Sequence, residues 1–152
     1  MYHHFAGKSD LAHTALVQTA NDLRAQAQRK LDGPGRVLER ISCYLLQHDE
    51  VLRGCPLGRL VFDPGVSADA CMRQTVKELF TWQHDALVIL LKEGIAAGEF
   101  IDELNPEGAA ITISAVLQGA YVLARASSEV EAFDRAINGL LTMLRTYTRV
   151  CT

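Results

Sequence analysis

Strand-forming runs are nearly missing from this 152-residue chain. Its β-branched residues are scattered, and the one candidate run, 59–62, is too short to define a strand. Histidine is sparse, with five residues, and neither an HExxH nor an ExxH pair occurs. The usual ligand spacings of zinc proteases and di-iron bundles are therefore missing. Cys43, Cys55, Cys71 and Cys151 form no CxxC pair and read as reduced thiols that pack. The sequence also has no GxSxG elbow, no phosphate-cradling GxxxxGK loop and no dinucleotide GxGxxG turn. No catalytic constellation, metal or cofactor is expected from such a chain. The longest unbroken apolar run, 86–91, is far too short to cross a bilayer. No charged stretch followed by an apolar one opens the sequence, so a cytoplasmic chain without a membrane partner is expected. With 15 basic and 18 acidic residues the net charge is −3. Bulk charge alone would not hold it to nucleic acid.

What is present is apolar and helical. Hydrophobic residues make up 49% of the chain against 22% charged, enough for one folded domain with surface left to bury on a partner. A first helix is expected over 9–31, with Ser9 as its cap and Ala12, Leu16, Ala20, Leu23, Ala27 and Leu31 on one stripe. Asp32-Gly33-Pro34-Gly35 ends it. A second helix over 36–48 aligns Val37, Ile41, Tyr44, Leu45 and His48. The Gly- and Pro-rich stretch 53–65 reads as an irregular connection with one helical turn at 57–62. A helix over 67–97, roughly 45 Å long at 1.5 Å per residue, groups Met72, Val76, Leu79, Phe80, Gln83, Leu87, Leu90 and Gly94. Asn105-Pro106-Glu107 starts another, and Ser128-Glu129-Val130-Glu131 has the form of a capping box.

The last two helices carry more apolar surface than one face. Over 106–126, Ala110, Ile113, Leu117, Tyr121 and Ala124 share one side, while Ile111, Ala115, Gly119 and Val122 occupy the opposite one. The final helix presents Val130, Phe133, Ile137, Leu140, Leu141 and Leu144. A helix apolar on both sides must be covered on both sides. The pair therefore reads as half of a four-helix, two-fold dimer interface. The residues assigned to it are Ile111, Ala115, Gly119, Val122, Phe133, Ile137, Leu141 and Leu144. A monomer covered by its own chain is the alternative.

The opening residues, Met1-Tyr2-His3-His4-Phe5-Ala6-Gly7-Lys8-Ser9-Asp10-Leu11, resemble the junction that ends the DNA-binding region in TetR-type bacterial regulators. There an apolar residue, Tyr, any residue, His-Phe, two residues, Lys, two residues and Leu follow in order. The segments Gly54-Cys55-Pro56-Leu57-Gly58 and Gly119-Ala120-Tyr121-Val122-Leu123-Ala124-Arg125-Ala126-Ser127 resemble the same family. The resemblance implies an all-α bundle of the TetR C-terminal type, dimerising through its last two long helices. It divides the chain into 1–8, the remnant of a helix-turn-helix domain, and 9–152, a ligand-binding and dimerisation domain. Tyr2, His3 and Lys8 would be the remaining DNA contacts, Lys8 on a phosphate. In the family the Tyr-x-His-Phe run ends a recognition helix, whereas Met1 stands directly before it here. Operator binding is accordingly expected only if the missing helices are present.

The resemblance further implies a small-molecule effector, apolar or aromatic, enclosed by the helices. Gln83 is the most telling residue, an amide in the middle of an apolar stripe that must find a hydrogen-bond partner if buried. Leu16, Tyr44, Phe62, Phe80, His84, Leu87 and Tyr121 complete the candidate ligand site. Trp82 falls on another side of its helix and reads as packing or partner contact. Two functions stay open: a ligand-responsive repressor lacking most of its DNA reader, and a helical dimerisation protein that binds neither ligand nor DNA.

Overall fold

Periodic apolar stripes of this length can be buried only against each other, and the computed structural model, which describes residues 7–46 and 48–149, arranges them as a helical bundle. Helix α1 spans Lys8–Leu31, α2 Val37–Leu46, α3 Pro56–Phe62, α4 Pro64–Ala68, α5 Ala70–Ala96, α6 Pro106–Ser127 and α7 Val130–Arg145. A single 3-10 turn, Val51–Arg53, joins α2 to α3. Among the described residues there is no strand beyond one isolated bridge, Phe100 to Thr148. The short run 59–62 is helical, inside α3.

Helix ends follow local chemistry where a side chain is in reach. Asn105 accepts from the backbone N–H groups of Glu107 and Gly108, with Pro106 at the first position, as its sequence led one to expect. Asp69 caps α5 through the Met72 N–H at 2.9 Å, so that helix begins at Ala70 and the residues before it form the separate turn α4. Three expected ends differ. Helix α1 begins at Lys8 with Gly7 before it and no side-chain cap, so Ser9 lies inside the helix. Ser128 is not the head of a capping box; it adopts φ 59° and closes α6, and α7 starts after Glu129 without a side-chain cap. Helix α2 stops at Leu46, leaving His48 beyond its end.

The main core lies between α2, α5, α6 and α7. Ile41, Leu45, Leu91, Ile113 and Ile137 in it are inaccessible to solvent. Removing apolar surface from water at roughly 25 cal/mol per Å² is the dominant favourable term there. A smaller cluster joins the first half of α1 to α4 and α5 through Leu16, Val66, Met72 and Val76. At the base of the core, the buried Glu99 caps a helix 62 residues away in sequence. Its carboxylate accepts from the N–H of Val37 at 2.8 Å and of Leu38 at 2.9 Å. That pairs two of the orphan donors at the start of α2 and places negative charge at the positive end of its dipole. Next to it Phe100 packs on Gly94, where an added Cβ would lie 2.6 Å from the ring. Only glycine fits that approach.

The expected dimer face divides in two. Phe133, Ile137, Leu141 and Leu144 are buried within the protomer, between 0 and 5% exposed. They belong to its own core and are removed from the interface assignment. The reason is that α7 has one apolar face, and α6 and α2 already cover it. Helix α6 behaves otherwise. Its inner side is buried through Ala110, Ile113, Leu117, Ala120, Tyr121 and Ala124, while Ile111 and Val122 are 59% and 66% exposed. Ala115 between them is exposed, and a Cβ on half-buried Gly119 would meet nothing within 4 Å. This helix is long and apolar enough to span a membrane by length and composition. Its position between α5 and α7 is that of a core helix.

Candidate functional site

Polar tips on apolar stripes converge where α1, α2, α5 and α6 leave a gap closed by the loop after α2. The resulting cavity has a volume of about 100 Å³. Helix α1 contributes Leu23 and Ala27, and α5 contributes Leu79, Trp82 and Gln83. Tyr44 comes from α2, Leu117 and Tyr121 from α6, and His48, Cys55 and Leu57 from the connection between α2 and α3. The glycine and proline of Gly54-Cys55-Pro56 turn the chain back over the bundle: Gly54 takes φ 86°, a region open to glycine, and Pro56 starts α3.

The polar groups form two pairs. Gln83 Nε2 donates to the Tyr44 hydroxyl, and both side chains are buried. The Tyr121 hydroxyl and His48 Nδ1 are 2.6 Å apart. The His48 ring stands edge-on to Tyr121 and Phe133, at centroid separations of 5.5 and 5.6 Å. Each pair leaves one buried atom without a protein partner: Gln83 Oε1 and His48 Nε2. Orphaned buried polar atoms are uncommon in native proteins, because each keeps its desolvation cost. Both belong to residues that line the cavity; the third such atom among the described residues, His84 Nδ1, lies outside it.

Burial also keeps the two polar pairs uncharged. The His48 imidazole is pushed down to about 4, first by burial and then by Lys30, with the Tyr44 carbonyl and Asp49 opposing. The Tyr44 hydroxyl is pushed up to about 12 by burial, which its bond with Gln83 only partly offsets. Burial raises Tyr121 as well, followed by the influence of Cys55 and Tyr44. At neutral pH the two pairs therefore present a neutral imidazole, two phenols and an amide, with Lys30 the charged group in the same wall.

Tyr44, Gln83 and Tyr121 thus meet as the sequence suggested, and the other ligand candidates lie elsewhere. Leu16 is in the small cluster with Val66 and Met72, a turn or more along α1 from the cavity. Phe62, at the end of α3, is 84% exposed and borders a separate outer hollow with Val122 and Arg125. Phe80 packs against the two satellite clusters, and Leu87 is sealed in the main core. His84 turns outward to Glu107, 3.0 Å away. Phe80 and His84 directly follow the lining residues Leu79 and Gln83, and Leu87 lies one turn beyond Gln83, so nearness along a helix does not suffice to share a pocket. Trp82, read from its position as secondary packing, is in the wall after all, with the Arg24 guanidinium 5.3 Å over its ring. Cys55, Leu57 and Leu117 are among the further lining residues outside the candidate set. For Leu57 and Cys55 the sequence offered only the glycine-bracketed turn as a signal.

Lys8 is exposed at the first turn of α1; the assignments to Tyr2 and His3 fall outside the described residues. A larger hollow, about 660 Å³, runs between α1 and α5 past Gln28, Lys77 and Asp85. It is an open groove with charges of both signs and contains none of the unpartnered buried atoms. Among the described residues no cluster of metal-ligating side chains occurs.

Comparison with known proteins places the bundle. A family model described as "Tetracyclin repressor-like, C-terminal domain" matches residues 35–140. The chain superposes on a TetR transcriptional regulator from Chloroflexus aurantiacus J-10-fl with a TM-score of 0.80 at 25% identity, covering 99% of this chain and 79% of that one. A TetR-family regulator from Cytophaga hutchinsonii gives 0.83 at 19% identity, covering 97% and 76%. The reduced form of Escherichia coli NemR gives 0.78 at 21%, covering 98% and 78%. No curated protein matches the sequence.

Proposed function

The chain belongs to the TetR family of transcriptional regulators through its tetracyclin repressor-like C-terminal domain, and from that premise we propose that it is a ligand-responsive repressor whose effector occupies the cavity around Gln83. The observation that carries this is the pair of buried polar atoms, Gln83 Oε1 and His48 Nε2, left without protein partners in the wall of one cavity. A ligand that bonds them recovers their desolvation cost only while bound. Pockets of this kind combine apolar walls with a few polar groups that fix orientation.

The coupling to DNA runs through α1. Its C-terminal half contributes Leu23 and Ala27 to the cavity, and its first residue, Lys8, is the operator contact that falls within the described residues. A ligand that binds one orientation of α1 better than another shifts the population toward it, by no more than that difference in affinity. We assign the effector site and the dimer surface to 9–152. The exposed α6 stripe of Ile111, Ala115, Gly119 and Val122 is the surface on which a second copy would dock, giving a homodimer that acts in the cytoplasm. Contact with an operator requires helix-turn-helix segments beyond those in this sequence. No catalytic role is assigned. A protein built only to dimerise would have no use for two unpaired polar atoms around a void.

Thermal-shift measurements against a panel of small apolar and aromatic compounds test the effector site. A ligand that binds the folded chain alone must raise its melting temperature. At least one compound should do so, and Ala27→Phe, which fills the cavity, should abolish the shift. Shifts unaffected by Ala27→Phe would contradict the assignment.

A further inference from the structure

The two orphaned atoms and the size of the cavity together specify a ligand chemistry, and the following rests on the reading of this cavity as the effector site. We propose that the cavity takes an uncharged, single-ring aromatic compound bearing one hydroxyl group, a phenol in its simplest form.

The size sets an upper bound. A cavity on the order of 150 Å³ accommodates benzene, and this one measures about 100 Å³. A single six-membered ring is the aromatic group nearest that volume, and a fused-ring compound exceeds it further.

The polar wall sets the functional group. The Tyr44 oxygen accepts from Gln83 Nε2, which leaves the Tyr44 proton to donate and Gln83 Oε1 to accept. Where the Tyr121 hydroxyl donates to His48 Nδ1, the neutral imidazole carries its proton on Nε2; in the other tautomer Nδ1–H donates and Nε2 accepts. In either tautomer the wall offers both an acceptor and a donor. A hydroxyl is the smallest group that donates once and accepts at the same oxygen. It donates to Gln83 Oε1 and accepts from the Tyr44 hydroxyl or the His48 ring. A ketone or aldehyde would only accept, leaving Gln83 Oε1 unpaired. The opposite placement of the Gln83 amide preserves the conclusion: Tyr44 then donates to Oε1, and the unpartnered Nε2 calls for an acceptor that a hydroxyl also supplies.

The charge of the lining excludes ions. It contains no carboxylate to hold a cation. Its one cationic side chain, Lys30, interacts with Asp49 and Cys43 as well as with the His48 ring. A carboxylate ligand would set negative charge against Gln83 Oε1 in a largely desolvated site.

Three probes of nearly equal shape separate the terms: phenol, benzene and benzoate, titrated into the full chain and followed by calorimetry and thermal shift. Phenol should bind about tenfold or more tightly than benzene, as expected when a buried acceptor is otherwise left unpaired, and benzoate should not bind. Gln83→Leu should bring phenol down to the affinity of benzene, and Tyr44→Phe should weaken phenol in the same direction if Gln83→Leu does not fold. Benzene binding as well as phenol, or benzoate binding better than either, would overturn the ligand class while leaving the effector cavity in place. No binding by any of the three, with other compounds in the panel shifted in an Ala27→Phe-sensitive way, would also overturn it. No binding by any compound at all would overturn the effector site itself.

Discussion

Two buried polar centres in this bundle are built to different standards. At the base of the core both carboxylate oxygens of Glu99 are engaged by the first N–H groups of α2, with Arg36 3.7 Å away. In the cavity Gln83 and His48 each satisfy one side and leave the other open. Surrounding packing differs in the same sense: Phe100 presses on Gly94 so closely that no side chain fits between them, whereas the cavity retains about 100 Å³. A fully bonded buried group makes the fold specific and stable. A half-bonded one lowers stability, and its persistence points to a use outside folding.

The sharpest way to break that contrast is Glu99→Ala. It strands one buried and one half-buried N–H group at the start of α2, so unfolding in urea should show a loss of about 3 kcal/mol. Gly94→Ala forces the Phe100 ring out of place and should cost about 1–3 kcal/mol in the same assay. The cavity side is probed by pH. A histidine whose folded value lies near 4 against roughly 6.5 when unfolded contributes stability that is complete above about pH 6.5 and is lost as pH falls toward 4. Thermal melts between pH 7 and pH 4.5 should show this decline, and His48→Phe should flatten it. Smallest in stability is Val122→Glu on the exposed α6 stripe, within about 0.5 kcal/mol for the protomer. Its effect belongs to assembly: sedimentation should give the dimer mass for the parent chain and half that mass for the variant.

How far such features can be read from sequence depends on how local they are. The Asn105 cap and the start of α6 were legible because donor and acceptor lie within three residues. The long stripe of α5 was legible too, since nine of its residues are buried at helical spacing. Glu99 was not, because the N–H groups it bonds lie about 60 positions earlier. The same limit applied to the site. Gln83, Tyr44 and Tyr121 stood out as polar tips among apolar neighbours. Periodicity could not separate Leu87, sealed in the core, from Leu117, at the cavity wall, since both are buried stripe residues. His48 and Cys55 reach the wall only because the chain folds back after α2, which depends on tertiary packing. Both of the last two helices were assigned to the dimer surface from sequence. Only the arrangement of α2 and α6 around α7 shows that Phe133 and Ile137 serve the protomer while Ile111 and Val122 remain outside.

The most direct measurement is the unfolding free energy and phenol affinity of the double variant Tyr44→Phe, Gln83→Leu. Replacing both members of a buried polar pair by apolar groups of similar shape is close to neutral or stabilising when the pair serves no structural need. Stability equal to or above that of the parent chain, together with loss of phenol binding, is the predicted result. A loss of 2 kcal/mol or more on the scale of a broken buried network, with phenol bound as before, would mean that Gln83 holds the fold together as Glu99 does and that the cavity is not a sensor.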